Sequence, residues 1–149
     1  RAELFDGIFF KKGRVHEDVE ILHHLFSKAR NISCASSVVY HYYMRSDSIT
    51  HQNTSKNNMD FFLGFLERYH YVADETAKCY ALKSCIEGCY RILYLSDGLV
   101  YDEEDLKLVK SFWVQHKNVK KMGLKCYLMC KHPKLCRFLL RIKHFLLQS

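Results

Sequence analysis

Glu17 and Asp18 stand side by side at the head of "HEDVEILHHLFSKA", just ahead of four large apolar side chains, Ile21, Leu22, Leu25 and Phe26. A carboxylate beside apolar surface costs free energy unless it is paired or put to use. Counted along a helix, Leu22, Leu25 and Ala29 share the stripe of Asp18, which would turn this carboxylate toward the core side. It would also sit in the first turn, where the partial positive charge of the helix end favours an anion. A carboxylate so placed, in the wall of a cleft, suits general-base chemistry. Glu17 would project about 100° away around the helix, as an orienting or solvated group. Asp and Glu in a first helical turn are common as plain complements to the helix dipole, and spacing alone favours that reading. Histidines add to the chemical inventory of this region: His16, His41 and His51, with His23 and His24 read as surface or packing residues. The sequence contains no His-Glu-x-x-His spacing, which excludes a zinc protease of that type.

The elements that must position these groups follow from periodicity. A helix of three to four turns should run from near Glu17 to the Arg30-Asn31 turn. "NISCASS" and "SVVYHYYM" are rich in β-branched and aromatic residues over short lengths, which predicts one or two strands. "RSDSITHQNTSKNN" has the composition of a loop. Beyond it the period becomes helical. Phe62, Phe65, Leu66 and Tyr69 mark one amphipathic segment, Leu82, Ile86, Cys89 and Leu93 a second. Leu106, Val109, Phe112 and Trp113 mark a third, opening after the acidic "DEED", as a helix N-terminus favours. Pro133 stands where a first helical turn would begin. The expected organisation is a short mixed α/β piece over residues 1–52 and a helical extension over 53–149.

Composition bounds the class. The 149 residues are 48% hydrophobic, enough for a packed core. No run reaches the roughly 18 apolar residues of a spanning helix. No secretory signal is visible, and the opening on Arg1 rather than Met suggests a trimmed chain or a piece of a longer protein. The seven cysteines include no Cys-x-x-Cys pair, so they read as small buried apolar residues in a reducing, cytoplasmic setting.

Charge divides the chain unevenly. Residues 1–105 are net acidic, whereas residues 106–149 carry 11 basic groups and no acidic one. In the last predicted helix Leu135, Phe138, Leu139, Ile142, Phe145 and Leu146 share one face, and Lys134, Arg137, Arg141 and His144 another. Lys120, Lys121, Lys125 and Lys131 extend the charge upstream. Such a helix suits the headgroup region of an anionic leaflet, or docking on its own protein with the basic face solvated. Large aliphatic residues interleave with the charge and no nucleic-acid recognition motif occurs, which argues against a nucleic-acid partner.

The first 52 residues also carry an ordered set of small motifs: Leu4-Phe5, Ile8-Phe9-Phe10, Gly13-Arg14, Glu17-Asp18, Tyr40 to Tyr43, Arg45 and Ser48-Ile49-Thr50. In order and spacing this stretch resembles the end of the catalytic domain in family 2 glycosyltransferases of the bacterial capsule and exopolysaccharide type. The resemblance implies an α/β fold, the C-terminal portion of a GT-A-like domain. It implies an inverting transfer of sugar from a nucleotide sugar to a saccharide or lipid-linked acceptor at the cytoplasmic membrane face. Asp18 would be the general base, with Glu17, Arg45 and Ser48 binding substrate and Arg45 facing the leaving diphosphate. A divalent metal, Mn or Mg, would be held mainly by residues outside this chain, with His51 as a possible ligand within it. Tyr43 stands where many relatives carry a further Arg, and neither Asp-x-Asp nor Gln-x-x-Arg-Trp occurs. The chain alone is therefore expected to be inactive, and a processive polymerase is not expected. The alternative is a non-catalytic helical module that binds protein or membrane.

Overall fold

Phe62 and Ile86 are completely buried against each other's helices, and the fold is built outward from that contact. Their helices are α2 (Ser55–Tyr71) and α3 (Glu75–Tyr90), joined by a three-residue connection that forces an antiparallel pair. Gly88 lets them close: a Cβ there would lie 3.2 Å from the Phe62 Cα. Each helix starts on a side-chain cap. Thr54 accepts the Asn57 N–H at 3.1 Å and Asp74 accepts the Ala77 N–H at 2.8 Å. α3 runs on through a π-type turn, Arg91–Leu95, before Gly98 reverses the chain at φ 75°. The other helices among the described residues are α1 (Glu17–Lys28), α4 (Glu103–His116), α5 (Gly123–Lys131) and α6 (Pro133–Leu146), and a 3-10 turn spans Ala2–Phe5. The core joins Phe62, Cys85, Ile86, Cys89 and Tyr90 to Val109, Phe112 and Trp113 of α4 and to Met129 and Cys136 of α5 and α6. α1 packs on the outer side of α2, where Gly64 admits Val19.

The structure, a computed structural model, describes residues 2–34, 36–38, 40, 41, 43, 52–118 and 122–146, with side chains up to 143. The described residues contain six α-helices and no strand, which overturns the expected α/β architecture of a GT-A-like segment. The described positions between 31 and 43 are irregular. Their β-branched and aromatic content suits a pleated surface, but a strand exists only when its N–H and C=O groups pair with a neighbouring strand. Every regular element among the described residues is a helix, whose backbone bonds are internal, so no such neighbour is offered. The expected loop is also shorter at its end than its composition suggests: Ser55 to Asn58 form the first turn of α2 behind the Thr54 cap. Cys85 and Cys89 lie in the core with free thiols, and burial pushes both thiols well above their ordinary range.

Candidate functional site

The loop that leads into α1 is held by α2 through polar side chains. Asp60, only 4% exposed, takes the Arg14 guanidinium on one oxygen and the Val15 N–H at 2.9 Å on the other, where Lys56 also reaches it. Burial opposes the charge on Asp60. The Lys56 ammonium, the Val15 N–H and Arg14 outweigh it and hold the carboxyl below its usual range. Arg14 also pairs with buried Glu20, Nε to Oε1 at 3.1 Å. One residue on, the His16 ring bonds Asn57 on the first turn of α2, and the His16 backbone is left-handed at φ 63°. From α2, Arg68 donates to the Val19 carbonyl at 2.7 Å. These bonds set where α1 begins and which way its first turn points.

That turn presents Glu17 and Asp18 to solvent. Asp18 therefore does not join a core-facing stripe. The buried positions of α1 are Val19, Glu20, Ile21 and His23, with Leu22 and Leu25 half-buried. The physical reason lies on α2: Val19 fits against the bare Cα of Gly64, which rotates the helix away from the Leu22–Leu25 face. Asp18 is not a cap either, because His16 occupies the N-cap position. Its charge acts on Arg68, whose pKa burial lowers and Asp18 partly restores. Arg45, Ser48 and His51 lie outside the described residues, so Glu17 and Asp18 are the two expected site residues whose positions are known.

Two grooves flank this region. The larger, about 800 Å³, runs between α1, α2 and α3 and is lined by Leu22, His23, Phe26, Phe65, Arg68 and Tyr80 among others. His23 is 6% exposed, and neither ring nitrogen completes a hydrogen bond among the described residues. Burial, then the neighbouring His24 and Arg68, lower its pKa to about 4, so the ring is neutral at pH 7. The smaller groove, about 360 Å³, is more polar and is lined by Asn53, Asn58, Glu87, Arg91 and Lys125 among others. Asp18 lines neither.

The metal expected from the resemblance can be tested against the side chains. Among the described residues, His23, His24 and Glu67 bring their donor atoms within 4.8 Å of one another. Two imidazoles and one carboxylate suit zinc-like ions, whereas Mg and Mn beside a diphosphate call for oxygen ligands. Lys11 also holds the other Glu67 oxygen at 2.6 Å, placing a cation beside the cluster. The described residues do not fit a diphosphate-bound Mn or Mg, and no catalytic step is assigned to one here.

Sequence reasoning missed the clamp of Asp60, Asn57, Glu20 and Arg68. One signal for it was present: Asp60 sits between Met59 and Phe61 in an amphipathic segment, a placement that calls for a buried partner. No family model, no curated protein and no solved structure matches this chain.

Proposed function

We propose that this chain supplies the acceptor side of a cytoplasmic inverting glycosyltransferase, with Asp18 as its general base. Asp18 takes the proton from an acceptor hydroxyl, that oxygen attacks the anomeric carbon of a nucleotide sugar, and the nucleoside diphosphate leaves with inversion. The acceptor is a saccharide or a lipid-linked saccharide. The donor is bound chiefly by polypeptide other than these 149 residues, with Arg45 and Ser48 contributing from this chain. The observation that carries the reading is the division of labour around Asp18. Arg14, Val15 and His16 are bonded to α2 by Asp60 and Asn57, so the turn is held by neighbours while the Asp18 carboxylate itself stays exposed and does no capping. A base has to be fixed in place yet free to accept a proton. The resemblance over residues 1–52 supplies the reaction type.

The test is kinetic. In a polypeptide that joins this chain to a donor-binding half, Asp18→Asn is expected to lower the rate of sugar transfer by about 10²–10⁴-fold while donor affinity holds. Glu17→Gln is expected to act more weakly. Full transfer by the Asp18→Asn variant would remove Asp18 from the chemistry. Robust transfer by these 149 residues alone would contradict the division between donor and acceptor sides.

The second reading, a helical interaction module without catalysis, is favoured by the apolar groove between α1, α2 and α3. A module of that kind would bind its partner equally well with Asn at position 18.

A further inference from the structure

An amphipathic helix on a globular protein ordinarily turns its apolar stripe inward. α6 does the reverse. Its inner side is made by Cys136, 8% exposed, and by Leu140, packed against the core. Tyr90 donates its hydroxyl to the Pro133 carbonyl at 2.9 Å, fixing the start of the helix. Arg137 grips both oxygens of Asp97, and Arg141, one turn on, reaches the same carboxylate at 2.6 Å. These contacts hold positions 133, 136, 137 and 140 against the body. With 100° per residue, the opposite side falls on Leu135, Phe138, Leu139 and Ile142. They are exposed by 50, 59, 48 and 41% respectively. Exposed cations border that arc on both edges, Lys134 and Arg141 on one and Lys143 on the other.

We infer that α6 is an in-plane docking helix for an anionic lipid surface. Its outward apolar arc enters the boundary between headgroups and acyl chains, while Lys134 on one edge and Lys143 on the other meet lipid phosphates. Three observations select lipid over another occupant. The arc is edged by cations on both sides, the arrangement that lets basic side chains reach headgroups while the centre is immersed. Residues 106–149 contain no acidic side chain, so nothing in this stretch repels an anionic leaflet. The helix is 14 residues long, and no described helix is long and apolar enough to cross a bilayer, so α6 lies on the surface rather than through it. The orientation is built in, because the Asp97 grip and the Tyr90 bond hold the arc outward before any lipid arrives. The inference is independent of the transferase reading and can fail without it.

The test uses the 149-residue chain and vesicles of phosphatidylcholine with or without phosphatidylglycerol. Co-sedimentation is expected with the anionic vesicles alone and should weaken as salt rises. Leu139→Glu and Phe138→Glu are each expected to lower vesicle affinity at least tenfold, with circular dichroism and melting temperature unchanged because both sites are on the surface. Lys134→Glu is expected to weaken binding about fivefold or more, from about 1 kcal/mol per cation at such a surface. Lys107→Glu, an exposed α4 change away from the arc, is expected to leave most of the binding. Phe138→Trp should give a fluorescence blue shift on anionic vesicles. Absence of vesicle binding would overturn the proposal, as would binding indifferent to both Glu variants. A dimer that Leu139→Glu dissolves, in a chain that ignores vesicles, would reassign the face to a second copy.

Discussion

α1 and the loop before it are held to the molecule by charge and hydrogen bonds, whereas α2, α3 and α4 are held together by buried aromatic and aliphatic volume. In the first region Asp60, Arg14, Glu20, Asn57 and Arg68 provide the polar contacts, beside a smaller apolar contribution from Val19, Ile21, half-buried Leu22 and Leu25, and the rings of His16, His23 and His24 against Phe61 and Tyr71. In the second, Phe62, Cys85, Ile86, Cys89, Tyr90 and Val109 are all less than 2% exposed. The two modes differ in what they specify. Apolar burial is strong but tolerant of direction, because any well-filled arrangement gains similar energy. Hydrogen bonds are weaker in net terms but demand position, because a buried polar group left unpaired is costly. The region that displays Asp18 is thus the one built for position, and the rest supplies the stability that lets it hold.

The contrast breaks most visibly at Phe62. Phe62→Ala removes a fully buried ring that meets Phe112 edge-on at 5.6 Å. The expected cost is about 3–5 kcal/mol, read as a drop in the denaturant midpoint of the whole transition. Hydrogen exchange should accelerate in α2, α3 and α4 together, because the loss is global.

Asp60→Ala attacks the other mode. It leaves Arg14 with Glu20 as its remaining carboxylate and the Val15 N–H without its acceptor, at an expected cost of about 2–3 kcal/mol. The pattern matters more than the size. Exchange protection should fall over residues 14–25 while α3 and α4 keep theirs. Uniform loss across all helices would show that α1 and the core form one cooperative unit and that the contrast is only descriptive.

pH separates the regions again, with a smaller effect. His23 is neutral in the fold because its pKa is lowered to about 4, against an ordinary value of 6.5. The unfolded chain therefore binds the extra proton first. Its contribution is complete above about pH 6.5 and is lost as pH falls toward 4. About 2 kcal/mol should have disappeared by pH 5, measured by denaturation at several pH values. His23→Leu should flatten the slope there. Asp60, Glu67 and Glu87, all held below their usual range, should give way only at lower pH, where their carboxylates protonate.

The same contrast explains how much could be read from the chain. The spacing of Phe62, Phe65, Leu66 and Tyr69, and of Val109, Phe112 and Trp113, reports burial on one helical face, and that information is local. The helices of the core were legible for this reason. The strands expected around Val38 to Tyr43 were not secured, because composition describes a surface that suits a sheet and says nothing about a partner strand. Asp18 was legible as a first-turn acid but not in its direction. Leu22 and Leu25 offer one apolar stripe and Val19 and His23 another, and Gly64, 45 residues from Val19, decides between them. The Arg14–Asp60 and His16–Asn57 contacts join residues 46 and 41 positions apart, a pairing that no single stretch encodes.

Two glycines on α2 and α3 give the smallest effects and the finest comparison. At Gly88 a methyl group would sit 3.1 Å from the Phe62 Cβ and 3.2 Å from its Cα, and the latter is backbone that cannot step aside. Overpacking there costs about 1–3 kcal/mol, and the better helix propensity of Ala returns about 1. Gly88→Ala should therefore destabilise by about 1 kcal/mol. At Gly64 the new methyl meets the Val19 Cγ1 at 3.1 Å, a side-chain tip rather than backbone. α1 can yield by a few tenths of an ångström, so Gly64→Ala should be neutral within about 0.5 kcal/mol, strain and propensity offsetting each other. Midpoint shifts in matched denaturation curves read both. An equal penalty at the two sites would mean that Val19 is seated as rigidly on α2 as the Phe62 backbone is on α3.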